Sequence, residues 1–298
     1  MNTFFLDRLN SEPHALAFAG QSTPWPVALA DQSANPALDE ALHTHAAAAQ
    51  ALLYPVSAEL LATTGRPVDL FGFEPNPARL AAAAAASASV PGIALTQLGA
   101  LLDAAALGYN PAQAKPVAVL GHSQGVLAVH MVQAICEAGS IDAAAAKIDE
   151  ILAIATLIGV AGTRQARQLG LAARHGEATP MLSVKDITRA QVDALIERVD
   201  GARGPIAVAV TNSATHYVLS GYPEDLAAFG VEVAKEHKRQ AKLREEKVRG
   251  GRVFDPTLEY LDVTLPFHLI GAKKGDTVEV ETQVGILKYK ILEIERSN

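Results

Sequence analysis

Pro116-Val117-Ala118-Val119-Leu120-Gly121-His122-Ser123-Gln124-Gly125-Val126-Leu127-Ala128-Val129-His130 is the stretch from which the fold can be read. The apolar run Val117 to Leu120 predicts a buried strand. It ends in Gly121-His122-Ser123-Gln124-Gly125, and a helical pattern then continues through Glu137. In a strand–turn–helix setting, Gly-x-Ser-x-Gly describes a nucleophile elbow. Gly121 and Gly125 allow the sharp bend, because a Cβ at either place would clash with the strand or helix beside it. Ser123 is thereby presented at a helix N-terminus, where the dipole and free backbone N–H groups stabilise a developing oxyanion. The five-residue pattern alone is common by chance; with its flanks it points to acyl-transfer chemistry.

The chain has 298 residues, enough for one large domain or two small ones. Hydrophobic residues make up 49% and alanine is abundant, which suits a helix-rich α/β protein. A formal net charge of -7 argues against a nucleic-acid binder. The single cysteine, Cys136, cannot form an internal disulfide, and its apolar helical surroundings predict a buried packing residue. No stretch reads as a clean membrane span. Met1 to Glu12 mixes Asp7, Arg8 and Glu12 with apolar residues and lacks a signal-peptide plan, so a cytoplasmic, reduced protein is expected.

Along the chain, Ala15 to Ala19 reads as a first strand entering a loop at Gly20-Gln21-Ser22. Ala37 to Ala62 has a helical pattern, and Leu80 to Ser89 is alanine-rich. Pro91-Gly92 is expected to break that helix, with Ile93 to Leu107 resuming it. Ile141 to Gln168 predicts a long helix. After Pro180 the texture changes: strands are expected at Met181–Val184, Ile206–Val210 and His216–Leu219, and helices at Arg189–Val199 and Pro223–Ala241. This β-α-β-β-α order predicts a small ferredoxin-like subdomain. Tyr260 to Leu265 is expected to return the chain to the main sheet.

Lys238, Arg239, Lys242, Arg244, Lys247 and Arg249 lie against Glu236, Glu245 and Glu246. They read as a solvated helix and loop, or alternatively as a basic dock for an acidic partner. His43 and His45 have metal-like spacing, but no further ligand cluster accompanies them; they read as solvent-facing helix residues, and no metal is expected.

Several further pieces occur in a characteristic order. They are Phe18-Ala19-Gly20-Gln21-Ser22-Thr23-Pro24-Trp25, Gly72-Phe73-Glu74-Pro75, Ser89-Val90-Pro91-Gly92, Ile158-Gly159-Val160-Ala161-Gly162-Thr163, Lys247-Val248-Arg249-Gly250-Gly251 and Phe267-His268. With the Ser123 turn, they make the chain resemble the acyltransferase domain of bacterial type I fatty acid synthases over residues 10–268. More distantly it is similar to malonyl-CoA:acyl-carrier-protein transacylases. The resemblance implies Ser123 as nucleophile and His268 as its base, a dyad whose imidazole is held by backbone carbonyls. Such a pair is chemically required, since a serine hydroxyl attacks a thioester only if a neighbour takes its proton. It also implies an oxyanion hole from the backbone N–H groups of Gln124 and Gln21, each worth roughly 3–4 kcal/mol in the transition state. On its own Gln21 reads as an ordinary turn residue.

Malonyl-selective relatives carry an Arg that pairs with the free carboxylate. The matching position here is Ala161, which implies acetyl or another neutral acyl group; Arg164, one turn on, is a possible substitute. Asn212 is implied to line the acyl pocket, although a turn-forming Asn reads equally well. Acyl-CoA and an acyl carrier protein are the implied partners, with no bound cofactor, no nucleic acid and no membrane.

Past His268 the resemblance stops. Leu269 to Thr282 and Leu287 to Ile294 alternate apolar and polar residues around a turn at Gln283–Gly285, predicting a β-hairpin. This segment resembles the end of Gre-type transcription elongation factors, without the coiled coil that acts in the polymerase channel. The expectation is an acyltransferase truncated after the histidine and joined to a fragment of another domain.

The expected architecture is α/β. A main α/β-hydrolase-like subdomain with a mostly parallel sheet would span 1–177 and 241–268, a ferredoxin-like α+β subdomain 178–240, and the hairpin 269–298. The expected function is acyl transfer from CoA to the phosphopantetheine of a carrier protein in fatty acid biosynthesis. The alternatives are a serine hydrolase or thioesterase, with Asp255 or Asp262 as triad acid, and an inactive acyltransferase-derived binding module.

Overall fold

A computed structural model describes residues 8–20, 25–62, 86–168, 179–200, 203–246, 254–261, 277–282 and 285–290, without the side chains of 54–62, 164–168, 244–246 and the last two strands. The chain divides into two compact units, 1–175 and 176–298, and is of the α/β class.

In the first unit, strand β1 (Ala15–Phe18) pairs in parallel with β2 (Ala118–Gly121). Between them come helices α1 (Trp25–Ser33), α2 (Pro36–Ala62), α3 (Ala86–Ala106) and the single turn α4 (Pro111–Ala114). After β2 follow α5 (Val126–Ala138) and α6 (Ile141–Gln168). A connection that long, with helices in it, is what a parallel pair requires. Among the described residues β2 has no second neighbour, so it is not the buried strand its apolar run predicts: Val117 is 73% exposed and Leu120 59%.

Helix α3 is the core of this unit and packs on α1, α2, α5 and α6. It passes straight through Pro91 and Gly92, where the sequence predicts a break. A proline inside a helix forfeits one backbone bond, at about 3 kcal/mol. Burial on all sides outweighs that cost: Val90, Ile93, Ala94, Leu95 and Leu98 are nearly inaccessible. Gly92 also has its reason, since the Trp25 ring lies where a Cβ would be. The Thr96 hydroxyl donates to the Gly92 carbonyl at 2.8 Å, one turn after the proline. By length and composition α3 is apolar enough to cross a membrane, which corrects the sequence reading, but most of it is buried inside this unit.

Two side chains depart from their expected places. Cys136 is exposed rather than buried. The inward stripe of α5 is Leu127, Ala128, Met131, Val132, Ala134 and Ile135. Cys136 falls past it, in the last turn before the left-handed Gly139 that ends the helix. His45 is not solvent-facing either. Its Nδ1 lies 2.6 Å from Asp149 Oδ1, with side-chain exposures of 11% and 16%, and joins α2 to α6. His43 is exposed and lies 3.4 Å from Asp39 on its own helix, as the sequence suggests.

The second unit contains β3 (Met181–Lys185), α7 (Arg189–Ile196), β4 (Ala207–Ser213), β5 (His216–Ser220), α8 (Pro223–Glu246) and β6 (Thr257–Tyr260). The strand order is β4-β5-β3-β6, and every pair is antiparallel. This is the order of a β-α-β-β-α-β ferredoxin-like unit. It corrects two boundaries. The small sheet does not end at 240, since Thr257–Tyr260 pairs with β3, Leu182 opposite Tyr260; of the strand expected at Tyr260–Leu265, Tyr260 belongs to this sheet and the residues past 261 lie outside the described residues. The open edge of β3 explains this, since an uncapped central strand would leave a row of backbone groups unpaired. Leu182, Val184, Leu219, Leu226 and Phe229 form the core between sheet and helices. Thr188 starts α7 with a reciprocal capping box to Gln191. Strands β7 (Thr277–Thr282) and β8 (Gly285–Lys290) form the expected antiparallel hairpin, with Thr282 opposite Gly285.

On α8, the buried Glu236 carboxylate accepts from Arg239 at 2.6 Å, from Arg198 at 2.8 Å and from Gln240 at 2.8 Å. Arg239 is therefore committed within the fold rather than offered to an acidic partner. Led by the Arg239 bond, these contacts hold the Glu236 carboxyl down at about 2. Its contribution is complete above the ordinary carboxylate range and is lost as pH falls toward about 2. Glu236→Gln should therefore lower stability at pH 7, by about 1–3 kcal/mol. The deficit should shrink below pH ~4. Urea unfolding at pH 7, 5 and 3 checks both the sign and the window. A second test is Gly92→Ala, whose Cβ meets the Trp25 ring; an unfolding loss of about 1–3 kcal/mol is expected, followed by fluorescence of this sole tryptophan.

Candidate active site

Ser123 owes its position to two strands and three glycines. The register sets Phe18 opposite Gly121, and the His122 N–H donates to the Phe18 carbonyl at 2.9 Å. The chain then turns tightly through Ser123–Gly125, with the Gly125 N–H returning to the His122 carbonyl at 2.9 Å, and enters α5. Ser123 has a φ of 54°, in the left-handed region that side-chain-bearing residues seldom occupy. It is exposed, as is His122. Gln124 is half-buried, its Nε2 3.4 Å from the Val90 carbonyl of α3.

The glycines are fixed by proximity. A Cβ on Gly121 would collide with the backbone of Gly125 and Val126 across the turn. One on Gly125 would collide with the Phe18 and Ala19 carbonyls of the neighbouring strand end. The third is Gly20, which the sequence reading places in a loop and in the Phe18–Trp25 piece without giving it a role of its own. Its Cβ would meet the His122 carbonyl and the Ser123 side chain, standing 3.4 Å from Oγ. The available signal was its place directly after β1, the strand that pairs with the one bearing the serine.

A second residue that sequence reasoning passed over is Gln97 of α3. It is 8% exposed, and its Nε2 donates to the Ala19 carbonyl at 2.6 Å. Its Oε1 is buried without a partner among the described residues.

The remaining candidates are distributed as follows. His268 and Gln21 lie outside the described residues, as do Arg164's side chain and Asp262. Ala161 is exposed on α6, the helix that also carries the backbone of Arg164 and that packs on α5. Asn212 belongs to the second unit. It sits within β4 and not in a turn, which removes the turn-forming alternative. Its Nδ2 is 3.3 Å from His216 Nε2, and the same nitrogen is 3.0 Å from the buried Ser183 Oγ. Asp255, a candidate triad acid, is exposed with its carboxylate 3.5 Å from His237. Thus Ser123 and Gln124 come together on one turn, with Gly20 against Ser123 and Gln97 bonded to the preceding Ala19 carbonyl.

What this arrangement offers chemically is an exposed serine on a sharp strand-to-helix turn, the geometry of a nucleophile elbow. Residues 180–260 match the family model of the fatty acid synthase central AT domain. That span runs from the start of β3 to the end of β6, the whole four-stranded unit. The chain is 26% identical over 163 residues to the fatty acid synthase beta subunit hexB of Dothistroma septosporum, covering 50% of this chain and 8% of that protein. Solved structures similar to it include the malonyl CoA-acyl carrier protein transacylase of Coxiella burnetii. The identity there is 19%, over 86% of this chain and 63% of that one, with a TM-score of 0.49. The acyltransferase domain from the second module of the salinomycin polyketide synthase is 18% identical, over 86% and 46% of the two chains, with a TM-score of 0.46. The chain therefore spans less than two thirds of each of these relatives.

The contact between Gly125 and the β1 carbonyls is backbone on backbone, so nothing flexible can yield. Gly125→Ala should lower unfolding stability by about 1–3 kcal/mol, read by urea denaturation followed at Trp25. Unchanged stability would mean that the turn does not sit against the end of β1.

Proposed function

We propose that this chain transfers an acyl group, acetyl by preference, from CoA to the phosphopantetheine thiol of an acyl carrier protein in fatty acid biosynthesis. The observation that carries the reading is Ser123 itself: exposed, at positive φ, on a strand-to-helix turn closed by Gly121 and Gly125. The match of residues 180–260 supports it independently. In this reading those residues form the ferredoxin-like subdomain, and β1 and β2 are part of the mostly parallel sheet of an α/β-hydrolase-like main subdomain.

The proposed mechanism is ping-pong. Ser123 Oγ attacks the thioester carbonyl as His268 takes its proton; the tetrahedral oxyanion is held by the backbone N–H groups of Gln124 and Gln21. Collapse breaks the carbon–sulfur bond, and His268 returns the proton to the departing CoA sulfur. The pantetheine thiol then repeats the sequence on the acyl-serine, and Ser123 is regenerated. No metal or bound cofactor takes part.

For specificity, a malonyl group would bring a carboxylate that needs a cation. Ala161 supplies none, so a neutral acyl group is preferred unless Arg164 serves in its place. Asn212 would line the acyl pocket.

The test is intact mass of the folded chain after incubation with acetyl-CoA and, separately, malonyl-CoA. One acetyl adduct is expected, absent in Ser123→Ala and larger in yield than the malonyl adduct. A malonyl adduct in excess would reverse the specificity argument. Adduct lost to water rather than to pantetheine would mark a hydrolase. No adduct from either donor would leave an inactive acyltransferase-derived module as the better description.

A further inference from the structure

We infer that Gln97 is a positioning residue for the backbone that faces Ser123: its amide holds the Ala19 carbonyl and, through it, the Ala19–Gly20 peptide. The inference rests on the acyl-transfer reading of Ser123 and adds to it a residue that never touches substrate.

The hydrogen bond itself is short, 2.6 Å from Gln97 Nε2 to Ala19 O. It is anchored on the most deeply buried helix of the first unit. The neighbouring Thr96 hydroxyl bonds the Gly92 carbonyl at 2.8 Å, and the Trp25 ring seals the same turn. The amide therefore reaches out from a fixed base. In a trans peptide the C=O and the following N–H point in opposite directions. Fixing the Ala19 oxygen thus fixes the direction of the Gly20 N–H and the place of the Gly20 Cα. That Cα is one bond short of collision with the His122 carbonyl and the Ser123 side chain, and Ala19 O also lies against Gly125. A small rotation of this peptide would either strike the turn or withdraw from it.

The other end of the same side chain makes no bond among the described residues that would account for a glutamine here. Among the described residues Gln97 Oε1 is buried with no hydrogen-bond partner. Buried acceptors are almost always paired, and an orphan carries its full desolvation penalty. Exchanging the amide's O and N gives no relief, since it would set two oxygens face to face at Ala19. A leucine of similar bulk would fill the space without an orphan. What leucine lacks is the N–H on Ala19 O.

The experiment compares the full-length chain with Gln97→Leu, and with Gln97→Met as a second donor-free variant of similar length. Three quantities are read: amide hydrogen exchange in a peptide containing Ala19 and Gly20, the unfolding midpoint by Trp25 fluorescence, and kcat and KM for acetyl transfer from acetyl-CoA to pantetheine. Exchange about tenfold faster or more at Ala19–Gly20 is expected, with the midpoint unchanged or higher. The kcat should fall about 10- to 100-fold with KM within about twofold, the signature of a displaced reacting group. Unchanged exchange would overturn the inference, and so would faster exchange with intact kcat. A midpoint that falls in step with kcat would also overturn it, by showing a purely structural role. If the wild-type chain takes no acetyl group, the acyl-transfer reading fails instead, and the exchange comparison alone decides whether Gln97 holds the loop.

Discussion

Everything at the candidate site depends on one backbone-to-backbone contact, the seating of the Gly121–Gly125 turn against the end of β1. Two parallel strands bring Phe18 and Gly121 level, and their register continues into the His122–Phe18 hydrogen bond. Beyond that bond the two chains have no room for side-chain carbon: Gly125 lies against the Phe18 and Ala19 carbonyls, and Gly20 against His122 and Ser123. A side-chain contact can give by changing rotamer, whereas carbonyl oxygens held in a ladder cannot. The turn is therefore set by the strand ends together with the first residue of the helix that follows it. This explains why the requirement falls on glycines from two places far apart in sequence.

The helical layer does the complementary work. α3 touches the site through both of its ends of contact, the Val90 carbonyl near Gln124 and the Gln97 amide on Ala19. A helix carrying that duty has to be fixed in rotation as well as in place. The Trp25–Gly92 contact and the Gly159 approach to the Ala86 backbone serve this purpose, since both bring neighbouring elements too near for a Cβ. A proline inside such a helix is tolerable because neighbours on every side hold the turn that has lost its hydrogen bond.

The sequence was informative where chemistry is local and silent where it is not. The Ser123 turn was legible because strand, glycine spacing and helix lie within fifteen consecutive residues, each with a steric reason. The same holds for the long helix Ile141–Gln168 and the C-terminal hairpin, whose periodicities stand alone. Pro91 misled because a local rule about helix breaking was overridden by tertiary burial. β6 misled because a four-residue strand has no pattern of its own; the vacant edge of β3 chose it. Gln97 could not be found at all. A glutamine within an apolar helix reads as a packing defect until the carbonyl it meets, nearly eighty residues earlier, is known. Cys136 and His45 reversed their expected exposures for the same reason, since the facing element decides which side of a helix is inside.

The backbone of Ser123 itself gives the strongest argument that this turn was not kept for folding. A residue with a β-carbon at φ of 54° stores strain of order 1–3 kcal/mol, which glycine at the same place would not. The turn already contains two glycines, so the geometry is plainly accessible to that residue, and a third would make the turn easier to form. Replacing Ser123, an exposed residue, with glycine would relieve the strain at the cost of its hydroxyl. Stability therefore favours glycine, and a serine is present. Under the acyl-transfer reading proposed above the strain has a use, since it presents Ser123 above the start of α5 and beside the Ala19–Gly20 peptide.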